Sequence, residues 1–305
     1  MTGAPGRSAS RGRRAPEREA GPPLALLPWS VADGASNMAL DEAMLECARD
    51  SVSLVRLYGW DPPCLSLGRH QAAPRRWGGR DRSELVPGTD VVRRPTGGRS
   101  VFHGPEVTYA FACPDRAWGG PKAVYRRIHR AIASGLGRLG VHLDREPEAG
   151  SGAAAARLAP SGAACFRDPA PGEVLARGRK LVGSAQRRRR GALLQHGSIL
   201  LRNHQDLGDI DRSHGSAGRE SREDAIEVDD GAPVRHGIGL DELLGGQPDP
   251  TEVARAVGAA FLREFDGERV GEGPAASALV ADVARDARRL EAAYREPARL
   301  WREGA

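Results

Sequence analysis

Long apolar runs are missing from this 305-residue chain. No stretch approaches the ~18 consecutive apolar residues that a membrane-crossing helix needs, which excludes a spanning segment and any membrane role built on one. Cysteine is scarce as well. Cys47, Cys64, Cys113 and Cys165 stand far apart, with no Cys-x-x-Cys pair and no His/Cys cluster. That spacing offers no metal site and argues against a disulfide framework, so reduced cysteines in a cytoplasmic protein are expected, one of them open to reactivity. Charge of one sign is scarce outside the N-terminus. The formal net charge is +5, yet residues 1–20 hold five arginines against two acids, which leaves about +2 for the rest. A body so nearly balanced has a weak field for a polyanion, and nucleic acid is set aside as a partner.

What is present fits an ordinary globular protein: 40% apolar and 28% charged residues, in a chain long enough to bury a core. Residues 1–23 are rich in Arg, Gly and Pro and are expected to form a disordered tail. The apolar stretch Leu24 to Leu27 is too short for the core of a signal peptide. Residues 24–305 then form one domain, with C-terminal helices from about 240. A helix is expected from Asn37, capped by that residue, with Asp41 and Glu42 at the positive end of its dipole. Leu40, Ala43, Met44, Cys47 and Ala48 make its apolar stripe. Strands are expected at Leu54–Tyr58 and Cys64–Gly68, then three more across residues 90–113. A second helix runs from about Ala123 to Leu139. Residues 145–165 and 203–235 lack a period and are expected to be loops. Two strands cover Val174–Gln186 and another Ala192–Leu201, with tight turns at Gly178-Arg179 and Arg190-Gly191. Helices return at Thr251–Phe265 and Ala275–Tyr294. Strands gathered centrally with helices around them give an α+β class.

Three segments can carry chemistry, and each is open when taken alone. Arg93 to His103 contains Gly97-Gly98, which serves either a tight turn or a close backbone approach to a ligand. Gly178 to Gln186 pairs Lys180 with the small residues Gly183, Ser184 and Ala185, whose plain roles are a solvated turn and packing. Cys165 precedes them in a loop-like stretch. A lone cysteine is ordinarily a small core residue, but an ammonium nearby lowers the thiol pKa and raises the reactive fraction. Arg187 to Arg190 reads as a solvated turn or as a rim patch for an acidic carrier protein.

Taken in order, Asn37 to Ala43, Arg93 to His103, Cys165-Phe166, Gly178 to Gln186 and Leu194 to Leu200 resemble the biotin/lipoyl protein ligase superfamily. They look most like its octanoyltransferases of the LipM type. The resemblance implies a mixed β-sheet flanked by helices, as in class II aminoacyl-tRNA synthetases and biotin ligases. It also implies that Cys165 attacks octanoyl-acyl carrier protein to form a thioester. A lysine of the glycine cleavage H protein, or of another lipoyl domain, then takes the acyl group. Lys180 is implied to activate Cys165 and polarise the acyl carbonyl. Arg94, Thr96, Gly97, Gly98, His103, Gly183, Ser184, Ala185 and His196 are implied to bind substrate. The thioester exchange calls for no ATP, no metal and no other cofactor. The match departs at Gly104, where many relatives carry Asp.

The competing reading in the same fold is a lipoate–protein ligase that activates free lipoate with ATP. Such a ligase needs no cysteine, so Cys165, fifteen residues before Lys180, favours the transferase. Biotin ligase fits less well, since its Arg-rich Gly-x-Gly-Arg loop is missing. From another class, an inactive lipoyl-domain-binding protein would need neither Cys165 nor Lys180.

Overall fold

The computed structural model describes residues 21–50, 52–73, 85–86, 88–144, 174–203, 237–265 and 274–301. Residues 1–20 of the expected 1–23 tail, the whole expected loop 145–165 with Cys165, and all but Asn203 of the expected loop 203–235 lie outside the described residues, while Pro23 is held, its carbonyl accepting from Ser53 N–H at 2.8 Å.

The centre is a six-stranded sheet in the order β1-β3-β7-β11-β10, with β2 also on β3. Its members are β1 (Leu24–Leu26), β2 (Ser30–Ala32), β3 (Ser53–Trp60), β7 (Glu106–Pro114), β10 (Val182–Arg189) and β11 (Ala192–Leu200). β1 and β2 run parallel to β3, and the other pairings are antiparallel. A second sheet, ordered β5-β4-β6, holds β4 (Cys64–Leu67), β5 (Asp90–Arg93) and β6 (Val101–His103). β8 (Leu175–Ala176) and β9 (Arg179–Lys180) form a small hairpin that leads into β10.

Strand alternation sends successive residues to opposite faces. Val55 and Leu57, Tyr109 and Phe111, and Leu193 and Ile199 point to one side of the main sheet. There they meet α2 (Pro121–Gly137) through Val124, Ile128 and Ile132. The same face meets Val257 and Phe261 of the helix at Pro250–Glu264. The opposite face carries Leu54, Tyr58, Ala110, Ala112 and Leu194 against α1 (Gly34–Cys47). A short helix, α3 (Leu240–Leu244), precedes the Pro250–Glu264 helix, which is therefore α4. It is followed by α5 (Pro274–Arg295) and α6 (Pro297–Trp301). α5 lies on the outer side of α1, covering it with Val283, Ala287 and Tyr294. None of the described helices is long and apolar enough to cross a membrane.

Several expectations change here. Asp33, not Asn37, caps α1, its carboxylate accepting the Ser36 N–H at 2.8 Å. Asn37 instead sits inside the helix and donates to Ala32 O and Gly59 O. Asp41 and Glu42 are not first-turn acids but buried mid-helix side chains. The cause is that α1 is covered from both sides, so its buried surface is wider than one stripe and admits acids only with partners. The arginine run changes too. β10 continues to Arg189, and the turn is confined to Arg190 and Gly191, at φ 50° and 84°. Positive φ at both central positions matches the right-handed twist of the flanking strands. The preceding turn falls one residue early, on Arg177 and Gly178.

Candidate active site

The loop of residues 94–100 joins β5 to β6 and arches past the end of β4, which lies between them. Two glycines permit this. A Cβ on Gly68 would stand 1.8 Å from Gly98 O, and Gly98 itself holds φ +91°. Arg94 fixes the arch from within, donating to Gly97 O at 2.8 Å, Arg99 O at 2.6 Å and Ser66 O at 3.1 Å. Arg93 reaches the other way, to Gly68 O and Leu300 O, and so ties α6 to the second sheet.

Beside this loop a cleft opens between the two sheets and α1. Met38, Tyr58, Trp60, Val101 and Ala185 supply apolar wall, while His103, Thr108, His196 and Ser198 supply polar groups. β10 and β11 approach closely here. A Cβ on Gly197 would lie 2.1 Å from Gly183 O, so only glycine allows the pairing. Small residues on β10 and β11 leave the wall slender, which suits a linear apolar chain ending in a polar head.

Two buried hydrogen-bonded chains organise the polar side. In the first, His196 Nδ1 meets Asp41 Oδ2 at 2.7 Å and its Nε2 meets Thr96 Oγ1 at 2.6 Å. A carboxylate only accepts, so Nδ1 carries the hydrogen and Nε2 faces the threonine hydroxyl. Arg56 closes the chain with Nε 3.0 Å from Asp41 Oδ1, and Tyr58 donates to Oδ2 at 3.0 Å. Burial pushes the Asp41 carboxyl up. The Arg56 guanidinium and the His196 and Tyr58 hydrogen bonds outweigh that and hold it below the usual carboxylate range.

In the second chain, His103 Nδ1 donates to Glu106 Oε1 at 2.8 Å, and Nε2 lies 2.8 Å from Ser66 Oγ. Ser198 also donates to Glu106 Oε1, at 2.7 Å. Trp60 stacks on the imidazole with ring centroids 4.1 Å apart. Burial lowers the His103 pKa against the opposing pull of Glu106, which favours an uncharged ring that accepts from Ser66. Gly104 offers no acid beside His103, yet a carboxylate reaches the ring from two residues further on.

The residues expected from sequence are largely brought together. Arg94, His103, Gly183, Ala185 and His196 line one cleft, and Thr96 lies buried behind His196. Ser184 borders the cleft, but its hydroxyl faces the other side of the sheet, 2.7 Å from Tyr109 Oη and 3.0 Å from His129 Nε2. Gly97 and Gly98 shape the arch. Lys180 is buried on β9 and is not among the cleft-lining residues. Cys165 is outside the described residues. Sequence reasoning missed Asp41, Arg56, Trp60 and Glu106 as parts of the site. Glu106 had one available signal, its position just after His103 on an alternating strand. Asp41 lay in plain view inside a motif, read as a dipole partner.

A family model described as the lipoyl protein ligase A/B catalytic domain matches residues 33–262. A curated octanoyltransferase LipM of Kyrpidia tusciae is 41% identical over 254 residues, covering 75% of this chain and 89% of its own. That of Moorella thermoacetica is 35% identical, covering 81% and 88%. Among solved structures, the bi-partite lipoate protein ligase of Thermoplasma acidophilum superposes with a TM-score of 0.55 at 17% identity. It covers 87% of this chain and 92% of that one.

Proposed function

The chain belongs to the lipoyl protein ligase A/B catalytic domain family, and from that premise we propose that it transfers an octanoyl group in lipoate biosynthesis. It is an acyltransferase. In the proposed reaction the Cys165 thiolate attacks the carbonyl of octanoyl-acyl carrier protein. A C–S bond to Cys165 forms, and the carrier thiol leaves. The ε-amine of a lysine on the glycine cleavage H protein, or on another lipoyl domain, then attacks the enzyme thioester. An amide forms, the Cys165 sulfur departs, and the amine's protons pass to thiolate and solvent. Thioester exchange supplies its own leaving group, so the cycle needs neither ATP nor metal, and the setting proposed is the cytoplasm.

The observation that carries this reading is the 41% identity to a relative named octanoyltransferase, across 89% of that relative. The cleft supports it: slender apolar walls suit a medium-length acyl chain, and the polar end lies where His103 and His196 converge. Intact mass spectrometry tests the reading. Mixing the chain with octanoyl-carrier protein without ATP should add one octanoyl mass in thioester linkage, which an acceptor lipoyl domain then removes. Acceptor modification only with free octanoate and ATP would instead make the chain a ligase.

Lys180 is proposed to lie beside Cys165 in the working enzyme. Lys180→Met should then move the midpoint of Cys165 alkylation to higher pH, because an uncharged stem no longer favours thiolate. If the ammonium also polarises the acyl carbonyl, transfer should fall by ~10²–10³ and stay low at high pH. An unchanged alkylation profile would remove Lys180 from the site.

A further inference from the structure

Beyond the cleft-lining Ala185, β10 runs on into a cluster of arginines. Ala185 lies opposite His196, and two residues along the same face of β10 Arg187 lies opposite Leu194, followed by Arg189 opposite Ala192. Both arginines turn under α1. Arg187 reaches within 3.6 Å of Glu42 Oε1, and Arg189 within 2.7 Å. Glu42 stands one helical turn beyond Met38, which lines the cleft. From the far side Arg299 of α6 meets the other oxygen of the same carboxylate at 2.7 Å, and Tyr294 donates to it at 2.7 Å. Arg69, just after β4, is close enough to act on Arg187 as a like charge.

Three guanidinium groups therefore gather around the Glu42 carboxylate beyond Ala185, with Arg69 near Arg187 and Glu46 a more distant acid at 4.0 Å from Arg189. Gathering like charges on partly desolvated side chains is costly unless an anion shares them. The groups remain reachable. The side chains of Arg187, Arg189 and Arg299 are 13%, 33% and 24% exposed, and Arg69 is exposed.

We infer that this arginine corner is an anion subsite that takes the phosphate at the far end of the donor's pantetheine arm. The inference rests on the carrier-protein donor proposed above. Lengths agree with it. At ~3.3 Å per residue, Arg187 and Arg189 stand about 7 and 13 Å along β10 from Ala185, which pairs with His196. The extended arm has about 13 bonds between thioester sulfur and phosphorus, roughly 15 Å at 3.3–3.6 Å per three backbone bonds. A thioester beside His196 thus sets its phosphate near Arg189, whose guanidinium shares Glu42 with that of Arg187.

The test compares three donors: octanoyl-pantetheine, octanoyl-phosphopantetheine and octanoyl-carrier protein. Arg187→Gln and Arg189→Gln, made singly, should each raise KM about tenfold for both phosphate-bearing donors, the loss expected for one charge-assisted contact. KM for octanoyl-pantetheine should not move. Added salt should weaken phosphate-bearing donors in the unaltered chain more than in the variants. Arg188→Gln is the control, because Arg188 faces the other way and pairs with Asp115 at 2.8 Å. A single melting transition at the unaltered temperature certifies each fold, and Arg189→Lys replaces any variant that lacks it, with a smaller rise of the same selectivity expected. Equal losses with octanoyl-pantetheine, or none with any donor, would overturn the subsite. Loss confined to the carrier protein would assign the arginines to an acidic protein surface and overturn it too. Absence of transfer from every donor by the unaltered chain would sink octanoyl transfer itself, a result distinct from loss in the variants alone.

Discussion

Replacing Cys165 by Ala is expected to abolish both the acyl-enzyme and the transfer, whereas Cys47→Ala, Cys64→Ala and Cys113→Ala should each keep most activity. Cys113 is buried in the core shared with α2 and α4, where burial and the nearby Asp115 carboxylate push its thiol up to about 12. Only a minute thiolate fraction survives there at neutral pH, and thiolate is the nucleophile. Cys64 is fully buried under α1, packed with Val92 and Tyr58. Cys47 lies half-buried at the end of α1 with its thiol 3.9 Å from Asp286 Oδ2, to which it donates. Each of the three has a packing role, so its loss should cost stability before turnover. The measurement is octanoyl incorporation by intact mass together with amide formation on a lipoyl domain. Full transfer by Cys165→Ala would sink the covalent route.

Asp41→Ala should destabilise the fold by about 3–5 kcal/mol, the range for removing one partner of a buried ion pair. Arg56 is 1% exposed and would keep its charge with no carboxylate among its described partners, facing Asn37 oxygens and the Tyr58 ring. Tyr58 and His196 would each lose a hydrogen-bond partner as well. Against a total stability of about 5–15 kcal/mol, that is a large share. Urea unfolding at neutral pH measures it, and a loss within experimental scatter would show that Asp41 does not anchor the cleft. The pH dependence has a definite sign. Because the folded-state pKa of Asp41 is lowered, its contribution is present above its unfolded value near ~3.9 and fades as pH falls toward the folded value. The gap between the unaltered chain and Asp41→Ala should therefore narrow on acidification below pH ~4. A gap that widens there would contradict the assigned partners.

Much of the fold could be read from residue order alone. Alternation in Glu106–Pro114 and Ala192–Leu200 marks strands because neighbouring side chains must face different environments. The Arg190-Gly191 turn was legible for a similar local reason, since its backbone needs φ above zero at both positions. The order of five short motifs placed the chain in its family, and six of the nine residues implied to bind substrate line one cleft, with Thr96 just behind.

What escaped the sequence depends on which surfaces meet. Leu54–Tyr58 and Cys64–Gly68 are each legible as strands, but nothing local tells that β3 and β4 belong to different sheets. Asp41 and Glu42 look like solvated helix acids, and Arg187 and Arg189 like a solvated turn. Local pattern reports only that a face is polar. Whether a polar face meets water or a counter-ion is settled when α5 closes over α1 and β10 runs beneath it. At that point burial makes each unpaired charge costly, and Asp41 must find Arg56 while Glu42 must find its arginines.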